Sequence, residues 1–299
     1  LLPDESVRLL ICETNRSIKM KVLEGKTAVI TGSSRGLGFA IAQAFAEHGA
    51  KVMLAARTQE TLTKAIENLR IQGVEVQGQV CDVSKQEDVQ NLAQSAISTF
   101  GGFDIWVNNA GVSAPYGPTL AYAPDYFNRV VETNILGVYN GSYTALKYFQ
   151  DRGSGKLINL LGRGADGPVP YQTAYAASKA WGKNFTAALA KETNGSGVEV
   201  MSFNPGLVIT DMLTRVDTVG GFEDKVLPLN TVIRLWGNRP EIPARKMVWM
   251  ASSATNGKNG LSVNFLNFGR ISAGLLKEAW RLLLRRPATT PIIQVRVVS

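Results

Sequence analysis

The chain has 299 residues, 45% of them apolar, enough for a large core, and it contains no run of 18 apolar residues that would span a membrane. Its net charge of +8 is moderate, and no stretch interleaves aromatic with basic residues, which argues against a nucleic-acid surface. The single histidine, His48, excludes a histidine-based triad, and the two cysteines, Cys12 and Cys81, stand in separate contexts, so neither a disulfide framework nor metal-ligand spacing arises and a reducing cytoplasm fits.

Residues 1–19 have early acids and no long apolar centre, unlike a signal peptide. They read as an upstream-start artefact or a disordered extension ahead of a natural start at Met20. The first strand is predicted at Lys26 to Thr31, short, apolar and β-branched. Thr31-Gly32-Ser33-Ser34-Arg35-Gly36-Leu37-Gly38 then leads into a helix whose face is Leu37, Ile41 and Phe45, with Ala40 and Ala44 beside them. A strand, a glycine turn and a helix start make an anion site, because free N–H groups and the helix dipole point at a phosphate. His48 precedes Gly49 at the end of this helix, where it suits the dipole and is a poor candidate for a catalytic base.

The second strand, Lys51 to Ala56, ends without the acid that would bind an adenosine ribose and select NAD. Ala56 holds that place and Arg57 follows. With Arg35 in the glycine turn, two planar guanidiniums are available for a 2′-phosphate, so the expected cofactor is NADP(H). Further strands are expected near Val76, Ile105, Leu157, Val200 and Val263, alternating with helices and without a linker or repeat. That alternation predicts one α/β domain over residues 20–269, a Rossmann-type doubly wound parallel sheet in three layers. Tyr175 and Lys179 are four residues apart, about one helical turn, so they share a helix face.

Together with Asp82, Asn108-Asn109-Ala110-Gly111, Asn134 and Pro205-Gly206, these residues resemble the classical short-chain dehydrogenase/reductase family, in its order and spacing, from about Leu23 to about Phe265. The resemblance implies that Gly32, Ser34, Arg35, Gly36, Leu37, Gly38 and Arg57 cradle the cofactor. Asp82 would hold the adenine amino group, with Val83 in backbone contact, and Asn109, Ala110 and Gly111 would line the cofactor at the end of the fourth strand. Asn134 would hold a water feeding a proton relay, and Tyr175 would be the general acid/base. Lys179 would lower the tyrosine pKa and bind the nicotinamide ribose. Pro205, Gly206, Val208 and Thr210 would complete the cofactor contacts, Val208 and Thr210 at the carboxamide and phosphate. The substrate would be a small-molecule carbonyl or alcohol and the assembly a homodimer or homotetramer. That assembly would form through the helix from about Asp125 to Gln150 and the Tyr175 helix, with Ala176, Ala180 and Ala187 permitting close approach.

One position departs from the pattern. The family has a serine thirteen residues before the tyrosine, and here that residue is Gly162. Loss of one such donor costs on the order of 10²–10³ in rate in the oxyanion-hole precedent. The backbone N–H of Gly162 or Gly164, Arg163, Gln172, a water or a protonated Asp166 are the candidate replacements, and restoring serine is expected to raise turnover on simple ketones. Two functions are open: an NADPH-dependent reductase, or an NADP(H)-binding regulatory protein with little turnover.

Residues 211–240 read as a substrate lid with Gly220, Gly221 and Gly237 as hinges, and its apolar content suggests a bulky hydrophobic substrate; a packed satellite helix is an equally good reading. Tyr116, Tyr122 and Tyr171 would form the opposite wall. The stretch Trp236 to Ala244, with the long tail, faintly resembles the chlorophyll b reductase branch of the family. Residues 270–299 read as a basic tail: six basic residues against Glu278 give a local +5. Ile271 to Arg286 forms an amphipathic helix within it. Packing on its own domain or a second subunit is the favoured reading, and peripheral binding to an anionic membrane is the other. The tail is expected to lie away from the glycine turn.

Overall fold

The computed structural model describes residues 21–266, 268–288 and 293–298; the expectation for residues 1–19 lies outside them. The first strand, β1 (Thr27–Thr31), is buried along its whole length, as the β-branched run requires. It is followed by helix α1 (Gly36–Glu47), strand β2 (Lys51–Ala56), helix α2 (Gln59–Arg70), strand β3 (Val76–Val80), helix α3 (Gln86–Phe100) and strand β4 (Ile105–Asn108). The second half runs through α4 (Pro124–Val130), a π-helical turn (Val131–Leu136), α5 (Gly137–Arg152), β5 (Gly155–Leu160), α6 (Thr173–Glu192) and β6 (Val198–Asn204). Four elements of the 211–240 segment follow: α7 (Asp211–Thr214), β7 (Arg215–Val219), α8 (Glu223–Val226) and α9 (Leu229–Trp236). The chain then forms α10 (Glu241–Ala251), β8 (Ser262–Asn264), α11 (Phe268–Leu283) and β9 (Gln294–Val298).

Seven strands form one parallel sheet in the order β3-β2-β1-β4-β5-β6-β8. All seven strands expected from the sequence are present. Alternate residues of β1 feed opposite cores. Ile30 packs with Ile41, Phe45, Leu54 and Met247 on one face. Val29 packs with Met53, Trp106, Phe149 and Leu157 on the other. Strand order reverses between β1 and β4, which opens a crevice beyond their carboxyl ends.

A second, two-stranded parallel sheet pairs β7 with β9, from Arg215 opposite Gln294 to Val219 opposite Val298. Val226, Ile233 and Ile293 are buried together beneath it, with Tyr116, Leu213 and Val295 packed around them. The 211–240 segment therefore has a small core of its own, and the tail supplies part of it. This corrects the expectation that the tail lies away from the glycine turn: Gln294, Val295 and Arg296 line one cavity of about 380 Å³ with Arg35 and Asp211. The reason is the strand in the tail, whose backbone groups find partners in β7 that a terminal coil would lack.

Candidate active site

The glycine turn sits at the carboxyl end of β1. Gly32 adopts φ +62, and a Cβ there would lie 2.8 Å from Ala110 Cα, so only glycine fits. A Cβ at Gly38 would strike the Asn109 amide and the Gly32 carbonyl. The turn and the end of β4 thus interlock. Asn109 Nδ2 donates to Thr31 O (2.9 Å) and Gly32 O (3.0 Å), while Thr31 Oγ1 accepts from the Asn109 and Ala110 amides. Ser33, which the sequence did not single out, is buried and ties the ends of β1 and β2 together. Its Oγ donates to Ile30 O (2.7 Å) and accepts from Ala55 N (3.0 Å). Ser34, Gly36 and Leu37 stay partly accessible at the start of α1.

Arg35 and Arg57 are both exposed at this edge. Arg57 makes no ion pair among the described residues, and Arg35 lies 3.5 Å from Asp211 across the crevice mouth. The Asp82 carboxylate accepts from Ser84 N (3.1 Å) and Ser84 Oγ (2.8 Å), fixing the loop after β3, and Val83 is buried beside it. Asn108 is turned inward, bonded to Trp106, Ser142, Val138 and Asn159, and so holds the sheet rather than facing the crevice. The loop after β6 closes over the turn. Gly206 N donates to Asn204 Oδ1, Val208 bridges to Asn238, and Thr210 Cγ2 stands 3.3 Å from where a Gly36 Cβ would be. Pro205 is buried at the foot of this loop.

The chemistry-bearing groups meet where β4 and β5 end. Asn134 lies in the π-helical turn, an insertion often found at functional sites. Its amide is fully engaged: Nδ2 donates to Val112 O (2.9 Å) and Ser178 Oγ (3.1 Å), and Oδ1 accepts from Val112 N (2.9 Å). Its side chain thus braces the loop at Val112 against the Tyr175 helix. Lys179 is buried, and its Nζ donates to Leu160 O (3.1 Å). A Cβ on Gly111 would stand 3.5 Å from Asn134 Oδ1 and 3.8 Å from Lys179 Nζ, which places the segment after β4 beside both groups. The Lys179 ammonium is 5.5 Å from the Tyr175 ring centroid.

Burial pushes the Tyr175 phenol up to about 12 and the Lys179 ammonium down to about 8. The lysine was expected to lower the tyrosine. In the chain itself desolvation of both groups wins, and the ammonium is held by the Leu160 carbonyl rather than by the phenol.

Gly162 lies at the end of β5 directly under the tyrosine. A Cβ placed there would be 2.5 Å from Tyr175 Oη, closer than any side chain tolerates. A serine at this position therefore requires the end of the Tyr175 side chain to shift. Of the candidate replacements, Asp166 is drawn to Lys183 at 2.5 Å on the surface and Arg163 is exposed. Gln172 caps the start of α6 through its carbonyl to Ala176 N (2.8 Å). Gly164, at φ +99, brings this loop against Ala176 in the helix of the tyrosine.

Of the three tyrosines expected to form a wall, Tyr116 and Tyr171 lie together at 5.7 Å and Phe222 of the lid meets Tyr171 at 5.2 Å, whereas Tyr122 is buried against Tyr126. Tyr171 has φ +65, an uncommon conformation for a bulky residue and one that clusters near active sites. Gly237 ends α9, its N–H donating to Ile233 O (2.7 Å), and a Cβ there would strike that carbonyl.

The crevice fits a nicotinamide dinucleotide: a turn bared to backbone, exposed Arg35 and Arg57 at its edge, and a buried ammonium beside a phenol. Comparison with known proteins bears on the same region. The short chain dehydrogenase family model matches residues 26–219. The chain is 37% identical over 198 residues to the oxidoreductase YxnA of Bacillus subtilis, 64% of this chain and 55% of that one. To the probable chlorophyll(ide) b reductase NYC1 of Oryza sativa it is 31% identical over 274 residues, 85% of this chain and 52% of the relative. The chain thus spans just over half the length of these two relatives. A 3beta-hydroxysteroid dehydrogenase of Eggerthella lenta is 34% identical over 254 residues, 81% and 92% of the two chains. Among solved structures, a 3-ketoacyl-(acyl-carrier-protein) reductase from Brucella melitensis complexed with NADH aligns with TM-score 0.74 and 28% identity, covering 83% of this chain and 99% of that one. A putative NAD(P)-dependent gluconate 5-dehydrogenase from Beutenbergia cavernae with bound NADP aligns with TM-score 0.72 and 27% identity, covering 82% and 96%. With the family's match across most of the sheet and the crevice it surrounds, the chain belongs to the short-chain dehydrogenase family of oxidoreductases.

Proposed function

We propose that the chain is an NADPH-dependent oxidoreductase acting on a bulky, apolar carbonyl or the corresponding alcohol. The observation that carries this reading is the convergence of Tyr175, Lys179 and Asn134 on the bared ends of β4 and β5, beside the glycine turn. NADPH, held by the glycine turn, Arg35, Arg57, Asp82 and the loop through Thr210, supplies hydride when bound. Tyr175 donates its proton to the carbonyl oxygen in reduction and takes it back in oxidation; near neutrality a phenol held at about 12 stays protonated, which suits the donor role. Lys179 orients the ribose and supplies positive charge at the site, and Asn134 steadies the loop at Val112 that frames it. Lacking a serine at position 162, the site relies on Tyr175 as its principal donor to the substrate oxygen.

The apolar wall of Tyr116, Tyr171 and Phe222 favours a large substrate. The relatives named for a hydroxysteroid and for chlorophyll(ide) b point the same way, so a chlorophyll b reductase-like activity stands as a narrower form of this proposal. The test is a panel of steroid, porphyrin-type and simple ketones with NADPH, followed by absorbance. Tyr175→Phe is expected to remove nearly all turnover while NADPH still binds by calorimetry; retained turnover overturns the mechanism. NADPH is expected to bind at least about ten-fold more tightly than NADH, because one charge-assisted contact contributes roughly 1.5–3 kcal/mol. Arg57→Ala should erase most of that difference, and equal affinities in the native chain would refute the assignment of NADP(H). Gly162 favours a second reading, an NADP(H)-binding regulatory protein, which would show binding without turnover across the whole panel.

A further inference from the structure

We infer that α11 docks this protein onto an anionic lipid surface. An ordinary amphipathic helix turns its apolar side to the fold. Here the arrangement is reversed. The side facing α9 is small and polar: a Cβ on Gly274 would lie 2.5 Å from Leu235 O, and Trp236 Nε1 donates to Ile271 O (3.2 Å). Glu278 receives Arg281 at 2.8 Å and Arg234 at 2.9 Å, two guanidiniums that hold its carboxyl down to about 2. The apolar residues point outward instead. Leu276 is 62% exposed, Trp280 61% and Leu283 73%, with Leu275 and Leu284 each 52% exposed.

Charge decides what covers this face. Lys277, Arg285 and Arg286 are exposed around it, and its one acid, Glu278, is consumed by two arginines. Bringing two copies together through this face would oppose two positive rims across an apolar seam. A second copy also has another place to bind: Tyr139, Tyr143 and Phe127 are exposed on the opposite helical layer, where Trp181 stacks on Phe185. An anionic bilayer matches both features of α11. Leucines and tryptophan enter the boundary between headgroups and acyl chains, and the cations meet lipid phosphates. The helix spans 16 residues, about 24 Å, and would lie in the plane of the surface. Because α11 packs on α9 of the lid, docking would present the lid side of the crevice to the lipid.

The experiment is flotation of the full chain with vesicles of phosphatidylcholine alone and of phosphatidylcholine with an equal part of phosphatidylglycerol. Binding to the anionic vesicles only is expected. Each basic residue near such a surface contributes roughly five-fold to partition, so the exposed charge-reversal variant K277E/R285E/R286E should bind about a hundred-fold more weakly. L276E/L283E should also lose binding, and since both variants alter exposed positions their thermal unfolding should match the native chain. Should the leucine variant fail to fold, the charge-reversal variant decides. Absence of binding to anionic vesicles, or equal binding to both kinds, overturns the proposal. So does sedimentation showing that L276E/L283E splits an oligomer, which would assign the face to a second copy. None of these readouts depends on turnover, so the inference stands or falls apart from the proposed activity.

Discussion

A single missing side chain shapes the reactive end of the site. The space that a Cβ would take at position 162 is occupied by Tyr175 Oη, 2.5 Å away, so the tyrosine reaches further toward β5 than a side chain at that position would allow. Gly162→Ser and Gly162→Ala should both lower turnover, by about ten-fold or more, because displacing the phenol by even an ångström spoils its alignment. NADPH affinity should change little, since the glycine turn and the arginines are elsewhere. Increased turnover in Gly162→Ser, measured as kcat/KM on any substrate of the panel, would show that the tyrosine moves freely. At this scale the sequence singled out the candidate groups: Tyr175 and Lys179 by their spacing, Arg57 by the absent acid before it. It did not reveal the groups that hold them. Ser33, Ser178 and Asn159 act through partners 22 to 51 residues away, as in Ala55 N to Ser33 and Asn108 to Asn159, and no local pattern marks such pairs.

The candidate lid joins two pieces far apart in the chain. β7 pairs with β9 on one edge and bridges Tyr116 through Thr218, and Ile293 is buried in the small core beneath them. The ion pair of Arg296 with Asp217, 2.7 Å, is the most visible link between them, but the arginine side chain is 74% exposed and such a pair contributes at most about 1 kcal/mol. Burial of Ile293 should matter more; Ile→Ala at such a site costs roughly 2–5 kcal/mol, here spent on local opening. Hydrogen exchange should therefore show the β7 amides of Val216 to Val219 losing protection in Ile293→Ala and far less in Arg296→Ala. Exchange at β1 and β5 should be unaffected in both. Equal loss in the two variants would mean that the ion pair, not the core, closes the lid. Sequence patterning exposed the helix in the tail through its apolar spacing, but β9 escaped it, because a five-residue edge strand becomes recognisable only when its partner is known.

On the scale of the whole molecule, the face formed by α5 and α6 carries the unpaired apolar surface of the sheet domain. Tyr139 is 46% and Tyr143 49% exposed, and Tyr139 also packs against Phe185 at 6.3 Å. Ala180 and Ala187 are exposed on the same helix, whereas Ala176 is buried against Gly164 within the chain and is unavailable to a neighbour. A homodimer or homotetramer through this face is the expected assembly. Y143R/W181R, which adds charge to that surface without touching the crevice, should sediment as a monomer at micromolar concentration. A native chain that is itself monomeric there would refute the assembly.

The seven-stranded parallel sheet, the glycine turn and the Tyr175–Lys179 pair were determined by the sequence alone, because each rests on local periodicity, on backbone chemistry of a few adjacent residues, or on one turn of helix. Tertiary structure decided the rest. Whether the phenol is raised or lowered depends on how deeply α6 sets it against β5, and burial outweighs the nearby ammonium. Whether position 162 can carry a side chain depends on where that phenol ends. Which side of α11 meets solvent depends on Arg234, contributed 44 residues upstream of Glu278, since an amphipathic pattern defines two faces but only packing selects the one that turns inward.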